Sequence, residues 1–202
     1  MRTLISRSAA AALAAFTLGF SAAAVADNDR NDGGNRFSAR LSGYNEVHFI
    51  PAPPALRGAI STQASGTFRA VIDDRGEMIH YELRFEGLEA DVTQSHIHFG
   101  QRHTVGGIVV WLCQTAGTQA PAAVASVTPQ CGGPRANTVT GTITPAQVLT
   151  ATGQGIDTGE FDEVVRAIRA GAAYANVHSI TFGPGEIRGQ IRRGDRGHHD
   201  RD

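Results

Sequence analysis

The sequence predicts an all-β fold, an antiparallel sandwich or barrel with one short helix near residues 159–170. Two patterns predict the strands: apolar residues recur at every second position in short segments, and clusters rich in glycine and proline separate these segments. Many short strands joined by such turns are typical of antiparallel sandwiches and barrels. A third pattern, apolar residues spaced as on one face of a helix, predicts the helix.

The clearest strand spans residues 78–85. Its apolar residues alternate with polar ones, so one face is expected to be buried and the other exposed to water. The apolar members are Ile79, Tyr81, Leu83 and Phe85. Residues 66–72 form the strand before it, and the turn cluster at residues 73–76 joins the two as a hairpin.

Further strands follow along the chain. The continuous apolar run at residues 108–112 predicts a strand that is covered on both faces. Residues 138–143 and 186–192 alternate again, which predicts two strands with one buried face each. Residues 93–99 and 174–179 are expected to be extended as well.

One helix is predicted where four apolar residues fall at positions i, i+3, i+4 and i+7. These residues are Phe161, Val164, Val165 and Ile168. Thr158 is the predicted N-cap, and Gly171 stands where a left-handed C-terminal cap belongs. A shorter helical turn is predicted to begin at Thr144, with Pro145 in its first position.

The first 26 residues predict export. A positive start is followed by an alanine-rich apolar run, and Ala24-Val25-Ala26 provides a small-residue cleavage signal. An uncleaved membrane anchor is the competing interpretation, but the run is poor in leucine and isoleucine and ends at the cleavage signal. The expected organisation is a signal peptide at 1–26, a disordered leader at 27–35, one domain at 36–192 and a disordered charged tail at 193–202.

The charge of the chain argues against a nucleic-acid partner. Cleavage removes Arg2 and Arg7, so 16 of the 18 basic residues remain against 19 acidic ones, a net charge of −3. Phosphate backbones are bound by clustered positive charge, which this composition does not predict. After cleavage no other segment is apolar and long enough to span a membrane.

The two cysteines, Cys113 and Cys131, flank a stretch rich in glycine, proline and alanine. In an oxidising compartment an even pair around a loop predicts a disulfide. Two thiolate metal ligands are the competing interpretation, but the sequence has neither a nearby histidine nor a CxxC pair to complete such a site.

A group of histidines is the candidate functional site. His96 and His98 flank Ile97, so on a strand both imidazoles project from one face. His178 on a neighbouring strand is the candidate third ligand of a copper or zinc ion, and His103 is a candidate fourth. The competing interpretation is a polar patch of hydrogen-bonded histidines that binds no metal.

No catalytic constellation is visible. The sequence has no Gly-x-Ser-x-Gly turn and no glycine-rich phosphate loop, and Glu46, Glu82 and Glu186 have no spacing that pairs them for acid–base chemistry. Trp111 is predicted to be a core residue. No catalytic residue and no organic cofactor are therefore assigned.

Three stretches resemble the CHRD domain, a module repeated in chordin and found alone in many bacterial secreted proteins. They match its N-terminal, central and C-terminal motifs in order and span residues 37–192. The stretches are LSGYNEV at 41–47, SHIHFG at 95–100 followed by GIVV at 107–110, and YANVH at 174–178 followed by PGEIRGQI at 184–191.

The resemblance implies a Greek-key or immunoglobulin-like sandwich, without a settled biochemical role for the bacterial members. A more distant likeness to copper–zinc superoxide dismutase implies that His96, His98 and His178 are copper ligands, with His103 in the place of the bridging ligand. No zinc subsite is evident, because residues 104–135 contain neither a further histidine nor an aspartate.

The function expected from the sequence is that of a non-enzymatic binding or structural module, secreted or periplasmic, with a protein, envelope or matrix partner. The alternative is a periplasmic copper- or zinc-binding protein that uses the three histidines. A redox enzyme of the dismutase type is a third hypothesis.

Overall fold

Most of the strands form one antiparallel sheet in the computed structural model, which describes residues 35–50, 56–75 and 77–194. The expected signal peptide, nearly all of the expected leader and most of the expected tail lie outside the described residues. Asn35, the last leader residue, is held in the fold by Asp74 and Arg169. The strands are β1 Arg36–Ser42, β2 His48–Ile50, β3 Leu56–Gly58, β4 Ser65–Asp73, β5 Met78–Glu86, β6 Val92–Phe99, β7 Gly107–Cys113, β8 Asn137–Ile143, β9 Ala173–Ser179, β10 Ile187–Gln190 and β11 Arg192–Arg193.

Nine strands of the described ranges belong to the main sheet, and β2 and β3 form a separate hairpin. The order across the sheet is β7-β6-β9-β10-β1-β4-β5-β8, with β11 also paired to β1. The two ends of the sheet approach each other: Tyr81 lies on β5, the neighbour of edge strand β8, and its hydroxyl donates a 2.6 Å hydrogen bond to the Leu112 carbonyl of the other edge strand, β7. The sheet is thus a sandwich that is nearly closed into a barrel, which confirms the predicted all-β class.

The hairpin of β4 and β5 confirms the alternation read from the sequence. Buried and exposed residues alternate along both strands, and the inner face contributes Phe68, Leu83 and Phe85 to the main core. The strands pair in register from Asp73–Met78 to Ser65–Glu86. A period of two in the sequence therefore corresponds here to one buried face.

Strands β6, β7 and β9 are covered on both faces. Every residue of β9 is buried, and five consecutive residues of β7 are buried. On the inner face Ile97 and Val177 enter the main core. On the outer face of β7, Trp111 packs with Ala120 and Val124 from the segment between the cysteines, so the prediction that Trp111 is a core residue is confirmed.

The predicted helix is α1, Phe161–Arg169. Gly171 has a φ of 68°, and its N–H and that of Ala172 donate to the carbonyls of Ile168 and Ala167, which closes the helix as predicted. The predicted N-cap is wrong: Glu160 precedes the helix without a side-chain cap. The Thr158 hydroxyl instead bonds that of Thr150 at 2.9 Å.

The predicted disulfide is present between Cys113 and Cys131. Gln114 organises the loop that the disulfide closes. Its amide nitrogen donates to the carbonyls of Ala125 and Thr128, and its amide oxygen accepts from the Ala120 N–H. The shorter turn predicted at Thr144 is a 3₁₀ helix, Pro145–Gln147. No helix in the described part of the chain is long and apolar enough to cross a membrane.

Candidate metal centre

The structure brings His96, His98 and His178 together on one face of the sheet. Strands β6 and β9 are antiparallel neighbours, and His96, His98 and Gln94 of β6 lie opposite Asn176, Tyr174 and His178 of β9, respectively. The ring centroids of His96 lie 5.4 Å from His98 and 4.8 Å from His178. The expectation that the three rings share one side of neighbouring strands is confirmed.

Two of the histidines are oriented by backbone carbonyls. His98 Nδ1 lies 2.9 Å from the Gly106 oxygen, and His178 Nδ1 lies 2.7 Å from the Gly183 oxygen. A carbonyl oxygen only accepts, so each Nδ1 carries the proton and each Nε2 presents its lone pair. A metal-binding histidine is commonly fixed in this way, by a hydrogen bond from its other ring nitrogen.

The remaining ring nitrogens make no hydrogen bond of ordinary length and angle among the described residues, although a contact with the Asn176 side chain acts to raise the pKa of His98. They are His98 Nε2, His178 Nε2 and both nitrogens of His96, and all four are buried. Exposure is 0% for His96, 7% for His98 and 5% for His178. The rings thus point polar atoms into a space where the described residues do not satisfy them, and all three rings are buried.

The spacing of the rings is compatible with one ion. Each histidine offers one ring nitrogen, and these three nitrogens all lie within 4.8 Å of one another. Around a zinc ion, nitrogen ligands at about 2.0–2.1 Å lie roughly 3.3–3.6 Å from one another. The longest nitrogen–nitrogen distance of the group, up to 4.8 Å, would have to shorten by roughly 1.2–1.5 Å for all three nitrogens to reach bonding distance.

All three imidazoles are in the form that binds metal. Burial lowers the pKa of His98 to about 4, and burial also lowers the pKa of His178. The pKa of His96 is well below its usual value because of burial and then because of His178 and His98. Neutral imidazoles accept a metal ion near neutral pH without first releasing a proton.

Aromatic rings enclose the cluster. The Trp111 ring lies edge-on to His96 with centroids 4.3 Å apart. The Tyr174 ring stacks on the His98 ring with centroids 4.7 Å apart. The Arg188 guanidinium lies over the Tyr174 ring, 3.4 Å from its centroid. The site is therefore shielded by side chains that fix the rings by packing and a cation–π contact.

Gly106 ties the loop after β6 to the cluster. Its carbonyl accepts from His98, and its N–H donates to the Tyr174 hydroxyl at 3.3 Å. A Cβ at this position would overlap the carbonyl of Phe99. Only glycine lets the backbone approach closely enough to hold both rings.

A buried carboxylate lies at the margin of the centre. Glu46 is 7% exposed and is electrostatically linked to Arg188. A Cβ on Gly185 would lie 2.7 Å from Glu46 Oε2 and 2.9 Å from Asn176 Nδ2, so both side chains pass beside this glycine. Burial raises the pKa of Glu46.

Sequence reasoning missed Glu46, Arg188 and Gly106 as parts of this centre. Glu46 directly follows a 3₁₀ turn, Arg188 lies on β10, and Gly106 lies in the loop between β6 and β7. Glu46 and Arg188 are part of the motifs that resemble the CHRD domain, and this was the one signal that could have identified them. His103, the candidate fourth ligand, lies exposed in the loop with a φ of 64° and is not part of the group.

Comparison with protein families gives one match. The model of the CHRD domain matches residues 37–191, well over half of the chain. Neither the curated proteins nor the solved structures yield a match. The likeness to copper–zinc superoxide dismutase stays a prediction.

Proposed function

This chain belongs to the CHRD domain family, and we propose that it is an exported, non-enzymatic member that binds one copper or zinc ion through His96, His98 and His178. The observation that carries the proposal is the arrangement of the ring nitrogens. Backbone carbonyls hold the Nδ1 atoms of His98 and His178, while the Nε2 atoms are buried without a hydrogen-bond partner among the described residues.

The chemistry of the group favours copper or zinc. The three candidate ligands are all imidazoles, without a thiolate or carboxylate in the group, and imidazole nitrogen suits both metals. Oxygen-preferring ions such as calcium and magnesium take carboxylates and carbonyls instead.

A purely structural role is the main competing function. Within the described part of the chain it would leave four buried ring nitrogens without a hydrogen-bond partner, and each unsatisfied buried group costs about 1–3 kcal/mol. A bound ion removes that cost for the nitrogens that ligate it. The geometry therefore favours binding over a structural polar cluster.

We propose binding without turnover because of the burial of the rings. A redox or hydrolytic metal site needs an open coordination position that a substrate reaches. The three histidines are at most 7% exposed, and Trp111 and Tyr174 lie against them.

Export is proposed from two features. The first 26 residues have the order of a signal peptide. The Cys113–Cys131 disulfide is stable in oxidising compartments such as the periplasm and the extracellular space.

The test is a calorimetric titration of the metal-free mature chain with Cu(II) and with Zn(II). We expect saturable binding of one ion, and at least about tenfold weaker binding in His98→Ala. His80→Ala is the matched control, since His80 is an exposed histidine on β5 that bonds Thr142.

Equal titration curves for His98→Ala and the unchanged chain would contradict the proposal. Because His98 is buried, His98→Gln serves as a second variant, and circular dichroism shows whether each variant keeps its strands. A folded variant that still binds one ion with unchanged affinity would leave the structural role as the better account.

A further inference from the structure

A cluster of arginines lines a small cleft beside the metal centre. The cleft has a volume of about 170 Å³, and four of its six lining residues are arginines. The six are Arg40, Asn45, Arg102, Arg188, Gln190 and Arg192. None of them is acidic, although the chain as a whole carries a net charge of −1.

The register of the sheet assembles three of the arginines. Arg188, Gln190 and Arg192 lie two residues apart, so they share one face of the extended chain at β10 and β11. On β1, Ser42 pairs with Arg188 and Ser38 with Arg192. Arg40 therefore lies between these pairs on the neighbouring strand and on the same face.

The fourth arginine comes from the loop after β6. Arg188 Nη2 donates to the Gln101 carbonyl at 3.1 Å, and Gln190 Nε2 donates to the Gly100 carbonyl at 2.9 Å. These two bonds fasten the beginning of the loop to β10. Arg102, the next residue, is thereby held at the rim of the cleft.

The positive charge in the cleft is largely uncompensated. Arg188 has the carboxylate of Glu46 nearby, but no ion pair joins Arg40, Arg102 or Arg192 to an acidic residue within the part of the chain that the structure describes. Like charges on neighbouring positions of a sheet face destabilise the fold. An anion between them would reverse that effect.

Arg188 is already organised for binding. It is 2% exposed, and its guanidinium is fixed by the Tyr174 ring and the Gln101 carbonyl. Its Nη1 is buried without a hydrogen-bond partner among the described residues. A guanidinium that is held in place loses little entropy when it binds an oxyanion.

We propose that this cleft binds a small multivalent oxyanion of the phosphate or sulfate type. Arginine guanidinium groups match such anions with paired hydrogen bonds. The volume of about 170 Å³ is below the roughly 300–1,000 Å³ of pockets that hold drug-sized molecules. The cleft adjoins the metal centre through Arg188, but none of the three histidines lines it, and the proposal does not depend on a bound metal.

The test is a calorimetric titration with inorganic phosphate at constant ionic strength, with sodium chloride as the screening control. We expect saturable binding that Arg102→Gln and Arg192→Gln each weaken by about tenfold. Arg69→Gln is the matched control, because Arg69 is an exposed arginine on β4 that pairs with Glu82. It should bind phosphate as the unchanged chain does.

A thermal readout provides an independent check. Phosphate should raise the melting temperature of the unchanged chain and of Arg69→Gln, but not of the double variant Arg102→Gln/Arg192→Gln. Identical phosphate titrations in all variants, or a response to chloride equal to that to phosphate, would overturn the proposal.

The source of the anion is distinguished by competition. Vesicles that contain phosphatidylglycerol would displace inorganic phosphate if the cleft takes a lipid headgroup. Phosphate binding that such vesicles leave unchanged would assign the cleft to a free oxyanion.

Discussion

The sheet has two halves that differ in what covers their outer faces. We call β1, β4, β5 and β8 the alternating half and β6, β7, β9 and β10 the covered half. In β4 and β5 buried and exposed residues alternate, whereas every residue of β9 is buried. The pleat is the same in both, so the difference comes from loops that pack over the second half.

The covering loops change the free-energy cost of placing a polar side chain on the outer face of the sheet. In the alternating half, Arg69 and Glu82 pair at 3.6 Å in contact with water, and such a pair contributes about 0–1 kcal/mol. In the covered half, Arg188 and the three histidines are almost completely buried. Each of them needs a partner from the protein or from a ligand. A binding site therefore belongs in the covered half.

The largest effect is expected from removing Arg188. Arg188→Ala leaves Glu46 buried without its positive neighbour and takes the cation from the Tyr174 ring. We expect a loss of about 3–5 kcal/mol in the free energy of unfolding, measured by urea denaturation. Arg69→Ala in the alternating half should cost less than about 1 kcal/mol. Equal losses for the two variants would show that the halves do not differ.

Acid should destabilise the protein through the covered half. The unfolded chain takes up a proton on His98 as the pH falls below 6.5, whereas burial lowers the pKa of His98 in the fold to about 4. Stability is therefore lost as the pH falls from about 6.5 to about 4, by about 3 kcal/mol for His98 alone. Glu46 acts in the opposite direction above pH 4.5, because burial raises its pKa.

The pH effect is measured by denaturant unfolding of the metal-free chain between pH 7 and pH 4. His98→Gln should flatten the dependence, since its side chain does not titrate. The same slope in His98→Gln and in the unchanged chain would mean that this buried histidine is not what makes the fold acid-sensitive.

Breaking the disulfide should lower the stability of the fold and leave the sheet intact. In the chain-entropy model, a bridge between residues separated by 18 positions stabilises by about 3 kcal/mol. Cys113→Ser/Cys131→Ser should therefore melt roughly 6–12 °C lower while keeping its far-ultraviolet strand signal. Free thiols in the unchanged chain under non-reducing mass spectrometry would remove the premise.

Strands β4, β5 and β8 of the alternating half could be predicted from the sequence because one buried face produces a period of two, whereas β1 was not predicted although its burial alternates as well. Residues 78–85 showed it directly, and β5 extends one residue further, to Glu86. The His96–His98 spacing likewise placed both rings on one face. Thr158 is not the N-cap because the helix begins only at Phe161, after a turn in which Gly159 has a φ of 86°, and the Thr158 hydroxyl bonds that of Thr150 instead.

The burial of the histidines could not be predicted in the same way. It depends on segments that are distant in sequence, such as the loop that carries Gly106 and the turn that carries Gly183. Glu46 and Arg188 come from opposite ends of the domain, so no spacing rule pairs them. The four-arginine cleft also depends on the register of the strands, and the alternation of apolar residues alone does not determine that register.

The central claim is that the covered half holds a metal ion, and the metal content of the protein purified from its native compartment tests it most directly. We expect about one copper or zinc ion per chain. The His98→Gln variant, purified in the same way, should contain no bound metal. A native protein without either metal, or a His98→Gln variant with the same metal content, would contradict it.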